Sequence, residues 1–108
     1  MSRNETAKLA DYYGINNQLV QLMEESSELI MAASKYIREP SIEHKENITE
    51  EIADVVVMIE QIKHLLNIYD SDIEDYAKDK VSRQFTRIRC ELALHGKTQE
   101  EIDAIFNR

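Results

Sequence analysis

Two glycines, one proline, one cysteine and no tryptophan occur in 108 residues, and each scarcity removes a class of structure. Tight turns between strands draw on glycine and proline, so a chain poor in both and rich in Glu, Lys, Ala, Leu and Ile is expected to be all-α. The single cysteine, Cys90, has no internal partner for a disulfide, and no early segment combines basic and apolar residues as a signal peptide does. A reducing cytoplasm is the expected compartment. Long hydrophobic runs are also missing: the longest, about Ile52 to Ile59, carries Asp54 within it, against the roughly 18 residues of a membrane span.

Positive charge is scarce as well. Thirteen Lys and Arg stand against 21 Asp and Glu, for a net charge of −8. Proteins that coat a nucleic-acid backbone need clustered cations to displace counterions, so neither DNA nor RNA is an expected partner. The length suits one domain over residues 1–108. A 43% hydrophobic content spread over several amphipathic helices is more than so short a chain can bury alone, which points to faces covered by another copy.

Five helices follow from periodicity and punctuation. The first covers about Glu5 to Tyr13, with Gly14 where helices commonly stop. Ile15, Leu19, Leu22, Leu29, Ala33 and Ile37 recur at helical spacing until Pro40, giving a long second helix. Residues 40–47 read as a polar connection, with room for a turn of helix after Ser41. The third helix begins near Ile48, runs its stripe through Ile52, Val55, Val56, Ile59, Ile62 and Leu66, and stops at Asn67. Ser71 with Glu74 has the form of a capping box, opening a fourth helix to about His95 before Gly96; Thr98 with Glu101 repeats it for a short closing helix.

Two acidic patterns stand out: Glu24-Glu25-Ser26-Ser27-Glu28 in the second helix and Glu50-Glu51-Ile52-Ala53-Asp54 in the third. Residues three apart share a helix face, so Glu25 with Glu28, and Glu51 with Asp54, each form a two-carboxylate claw. A solvated helix face is the ordinary explanation of such a run. Against it, none of these acids has a Lys or Arg at i±3 or i±4, whereas the chain elsewhere offers such partners: Glu60 with Lys63, Glu74 with Lys78, Asp79 with Arg83, Arg87 with Glu91. Glu51 and Asp54 also flank the core stripe of Val55, Met58, Ile62 and Leu65, so partial burial against another helix is expected. Buried acids brought together repel unless a cation compensates them, and an oxygen-only set suits Mg²⁺, with Mn²⁺ as a substitute. Zinc is disfavoured, because Cys90 and the three histidines show no ligand spacing. A di-iron bundle needs a Glu three residues before a His, and Ser41, Gln61 and Leu92 occupy those positions.

Glu25-Ser-Ser-Glu28, a 22-residue spacer, and Glu51-Ile-Ala-Asp54 followed by Val55-Val56-Val57-Met58-Ile59 resemble the two-part motif of the MazG-like nucleotide pyrophosphohydrolases, a pattern shared with the all-α dimeric dUTPases. The resemblance covers roughly Leu19 to Arg87. It implies an antiparallel helical bundle completed by oligomerisation, as a homodimer or homotetramer, and Mg²⁺-dependent cleavage of a (deoxy)nucleoside triphosphate to monophosphate and pyrophosphate. Glu25, Glu28, Glu51 and Asp54 would be the catalytic metal ligands. It also implies phosphate-binding groups in the next helix, where Lys80, Gln84 and Arg87 have similar spacing and Gln84 replaces the usual Asn; Arg83 and Lys78 are alternatives. Residues 78–97 hold six Lys or Arg against two acids, a local excess suited to phosphate oxygens.

Glu24, about 100° around the helix from Glu25, is a candidate general base. Gln18 and Gln21, with Leu22 and Tyr36, are candidates for the base pocket on the same helix. Two other functions fit the sequence: a non-enzymatic acidic oligomer that binds a basic protein, and a regulatory relative that binds nucleotide without cleaving it.

Overall fold

The computed structural model describes residues 2 to 107. It is all-helical, with 88% of residues in helices and no strand among those described. The helices are α1 (Arg3–Tyr13), α2 (Ile15–Arg38), α3 (Ile42–Leu66), α4 (Asp70–Leu94) and α5 (Gln99–Phe106). They form two compact units, α1 to α3 up to Ile68, and α4 with α5 from Tyr69 onward. No described helix is long and apolar enough to cross a membrane.

Local chemistry sets the breaks. The Ser2 hydroxyl accepts the Glu5 N–H at 3.3 Å and starts α1. Gly14, at φ 83° and ψ 165°, separates α1 from α2 in a backbone region open to glycine alone. Pro40 disfavours helical geometry at Glu39, which is extended at φ −144°, and α2 ends there. Asn67 takes the left-handed conformation after α3 (φ 54°), with the Ile68 N–H on Lys63 O at 2.9 Å and its own N–H on His64 O at 3.4 Å, the paired bonds of a Schellman stop. Gly96 ends α4 in the same way, its N–H on Ala93 O and the Lys97 N–H on Leu92 O.

Two boundaries differ from the sequence expectation. α3 starts at Ile42, six residues before the apolar stripe, because the Ser41 hydroxyl caps the His44 N–H at 3.0 Å and Glu43 favours the positive end of the helix dipole. Residues 42–47 are thus the solvated opening turns of a helix. Ser71 lies inside the first turn of α4; the cap is Tyr69, which makes no side-chain cap bond, while Asp70 and Asp72 supply acids to that turn. The Thr98–Glu101 box forms as expected, with both reciprocal bonds present.

In the first unit α2 and α3 pack along their length and α1 packs chiefly on α3. The buried positions are Thr6 and Ala10 of α1, Gln18 and Ala32 of α2, and Met58, Gln61 and Ile62 of α3. The wide stripe of α3 therefore divides: Met58 and Ile62 face inward, while Ile52, Val56, Ile59 and Leu66 are exposed. On α2, Val20, Met23, Ile30 and Ile37 form a second exposed apolar row. Within the core the Gln18 side-chain amide donates to Gln61 Oε1 at 2.7 Å, and Asp11 of α1 meets His64 of α3 at 2.8 Å. In the second unit Ile102 is buried, Arg89 pairs with Asp103 at 2.8 Å and lies over the Phe106 ring, and Phe106 meets Phe85 edge-on.

Candidate metal centre

α2 and α3 bring the two claws together. One oxygen from each of Glu25, Glu28, Glu51 and Asp54 lies within 4.8 Å of all the others. A claw of two acids follows from helical spacing, but four acids from two helices need α2 and α3 in one particular antiparallel register. Glu25 and Glu51 are half-buried, Glu28 and Asp54 exposed; of the α3 pair, expected to be partly buried, only Glu51 is.

The electrostatics are unfavourable for a bare site. At 4.8 Å two full charges repel by roughly 3.5 kcal/mol at an effective dielectric near 20, and by roughly 0.9 kcal/mol in bulk water. The half-buried Glu25 and Glu51 lie between these limits, and the exposed pair near the lower. Hydrogen bonding relieves only part of this. The Gln21 amide donates to Glu25 Oε1 at 2.8 Å, but Glu25 Oε2 and Glu51 Oε2 are buried with no hydrogen-bond partner. Orphaned carboxylate oxygens in a protein interior are costly, and these two belong to the same four-acid set.

A hard divalent cation fits that deficit. Mg²⁺ takes oxygens at about 2.1 Å, so ligands on opposite sides of its octahedron are about 4.2 Å apart. The 4.8 Å spread of the set is within a side-chain adjustment of that span. The donors are carboxylates only, with no nitrogen or sulfur to draw a softer metal.

A small groove of ≈ 110 Å³ beside the claws is lined by Glu28, Met31, Ala32, Lys35, Asn47 and Glu51. Lys35 and Asn47 were not singled out in the sequence; their signal is spacing, Lys35 two turns beyond Glu28 and Asn47 one turn before Glu51 on the same faces. Gln21 holds the claw, and Gln18 is engaged in the core with Gln61. Glu24 is exposed and outside the four-acid set.

Lys80, Arg83, Gln84 and Arg87 are exposed on α4, in the second unit. Arg83 is bound to Asp79. A hollow of ≈ 680 Å³ along α4 is lined by Glu74, Ala77, Lys78, Val81, Ser82, Phe85, Thr86 and Arg89, so of the basic candidates it includes Lys78 alone. Of the charge pairs expected, Glu60–Lys63 forms at 2.7 Å and Asp79–Arg83 forms; among the described residues Glu74 with Lys78 and Arg87 with Glu91 do not.

Comparison with known proteins adds no relative: no family model, no curated protein and no solved structure matches the chain.

Proposed function

We propose that this protein is a Mg²⁺-dependent nucleoside triphosphate pyrophosphohydrolase, acting on a (deoxy)nucleotide and releasing the monophosphate and pyrophosphate. The observation that carries the reading is the convergence of Glu25, Glu28, Glu51 and Asp54, with two of their oxygens buried and unpartnered. The order and spacing of those acids, which resemble the MazG-like motif, supply the reaction class.

Glu25, Glu28, Glu51 and Asp54 would hold the ion, with Mn²⁺ as a substitute; when bound, it neutralises phosphate charge and makes a coordinated water more acidic. Gln21 fixes the orientation of the Glu25 carboxylate by its hydrogen bond. Lys35 and Asn47, in the groove beside Glu28 and Glu51, offer an ammonium and an amide to phosphate oxygens. Glu24, exposed on the adjoining flank of α2, is the neighbouring carboxylate able to accept a proton. The roles of Lys80, Arg83, Gln84 and Arg87 rest on the resemblance, and alanine at Lys80 and Arg87 tests them through KM.

The exposed apolar rows Val20-Met23-Ile30-Ile37 on α2 and Ile52-Val56-Ile59 on α3 support a homo-oligomer, because contiguous apolar surface of this kind is seldom left in water. The enzyme reading is tested by a panel of (d)NTPs with Mg²⁺ or EDTA, products resolved by chromatography, beside Glu51→Gln. Monophosphate and pyrophosphate, lost with EDTA and with the variant, are expected. No turnover of any nucleotide and no metal-dependent stabilisation would favour instead an acidic oligomer that binds a basic protein.

A further inference from the structure

The buried amide pair Gln18–Gln61 shares its helix faces with the carboxylates. Stepping seven residues forward along α2 from Gln18 and seven back along α3 from Gln61 arrives at Glu25 and Asp54; three more on each arrives at Glu28 and Glu51. One antiparallel register therefore pairs the amides and opposes the claws, two turns or about 10.5 Å apart along each helix. Gln18 is 6% exposed and Gln61 3%, and their 2.7 Å bond is supplemented by Gln61 Nε2 on Met58 Sδ at 3.8 Å.

Half-buried aliphatic side chains and the three-residue connection between α2 and α3 also restrain the register, but among the described residues the amide pair is the one fully buried polar contact between the two helices. The fully buried apolar residues of α2 and α3 are Ala32, Met58 and Ile62, two of them small or flexible and tolerant of sliding. The four acids oppose their own alignment when no cation holds them. A slip of one turn moves α3 by about 5.4 Å, more than the 4.8 Å that spans the whole ligand set. In the slipped state both amides would be buried without their partner, whereas an apolar contact would simply re-form, which is how a lone buried polar pair selects one alignment.

We propose that Gln18 and Gln61 are positioning residues: their hydrogen bond locks the α2–α3 register and thereby assembles the carboxylate site before an ion arrives. This rests on the metal-centre reading, and its test separates the two. Gln18→Met with Gln61→Met, nearly isosteric and apolar, is compared with wild type and with Gln18→Met alone, with Gln18→Leu plus Gln61→Leu made alongside as a second apolar pair. Mn²⁺ binding is followed by electron paramagnetic resonance. In parallel, a distance distribution is measured in metal-free protein, diluted with unlabelled chain, between spin labels at Asn16→Cys and Glu43→Cys, both exposed sites outside the apolar rows, in a Cys90→Ser background.

The expected result is a double variant that melts at or above wild type without metal, binds Mn²⁺ at least tenfold more weakly, and broadens the label distance. Gln18→Met alone, which strands the Gln61 amide, melts lower than the double variant. Wild-type Mn²⁺ affinity with a single narrow distance in the double variant overturns the lock, as does failure of both apolar pairs to fold, which makes the amides structural only. Wild-type protein that binds no Mn²⁺ removes the metal centre itself, and the label distances alone then decide the lock.

Discussion

Glu51→Gln should stabilise the metal-free protein and forfeit the stabilisation that metal gives wild type. Glu51 has its Oε2 buried without a partner and one of its oxygens within 4.8 Å of an oxygen of each of the three other acids. Each charge pair there is worth between roughly 0.9 and 3.5 kcal/mol of repulsion, depending on solvent access. Glutamine keeps the shape and removes the charge, so at about 0.9 kcal/mol for each exposed partner, Glu28 and Asp54, and roughly 1–3.5 kcal/mol for half-buried Glu25, the variant gains roughly 3–5 kcal/mol in EDTA at low salt. For a domain of this size each kcal/mol moves Tm by about 4–8 °C, and the gain shrinks as salt screens the exposed acids. With Mg²⁺ at a hundred times its Kd, wild type gains about 2.7 kcal/mol by mass action, and the variant, lacking one ligand, gains little. Scanning calorimetry of both proteins, at one protomer concentration and with EDTA or Mg²⁺, should show the variant melting above wild type in EDTA and its lead shrinking by about 2.7 kcal/mol in Mg²⁺. A variant that melts below wild type in EDTA would refute the repulsion argument, and parallel curves in Mg²⁺ would refute the metal argument.

The second unit should loosen in acid. Hydrogen bonds from the Thr98 backbone N–H and then its hydroxyl hold the Glu101 carboxyl below its ordinary 4.5, and the bond from Arg89 holds Asp103 below 3.8. Both folded values are depressed, so the stabilisation is complete above pH about 4.5 and is lost as pH falls through the folded values. Amide protection factors in α5, corrected for the intrinsic pH dependence of exchange, should fall below that point, and Asp103→Asn should remove part of the pH dependence. Gly14→Ala should cost about 1–3 kcal/mol in denaturant unfolding, because φ 83° with ψ 165° is closed to residues with a Cβ, although nothing lies within 4 Å of the added atom. An unchanged midpoint would mean that the α1–α2 junction relaxes freely.

The number and ends of the helices were largely legible in the sequence, because they depend on groups a few residues apart. Gly14, Pro40, Asn67 and Gly96 break the chain where their backbone preferences dictate, and Thr98 with Glu101 closes its box locally. The opening of α3 was missed because a hydroxyl cap at Ser41 starts a helix that has no apolar stripe for six residues. The spacing of Glu25 with Glu28 and of Glu51 with Asp54 was legible for the same local reason: a helix converts three positions into one face.

Tertiary structure decided the rest. Periodicity marked all of α3's stripe as apolar but could not say that Met58 and Ile62 turn inward while Ile52, Val56 and Ile59 stay exposed. It offered Gln18 as a pocket residue, whereas packing buries it against a residue 43 positions away. The meeting of the two claws, the isolation of two of their oxygens, and the groove that adds Lys35 and Asn47 all depend on the register between α2 and α3. That register is set by side-chain packing and one amide bond between distant segments, which local propensity within either helix does not encode.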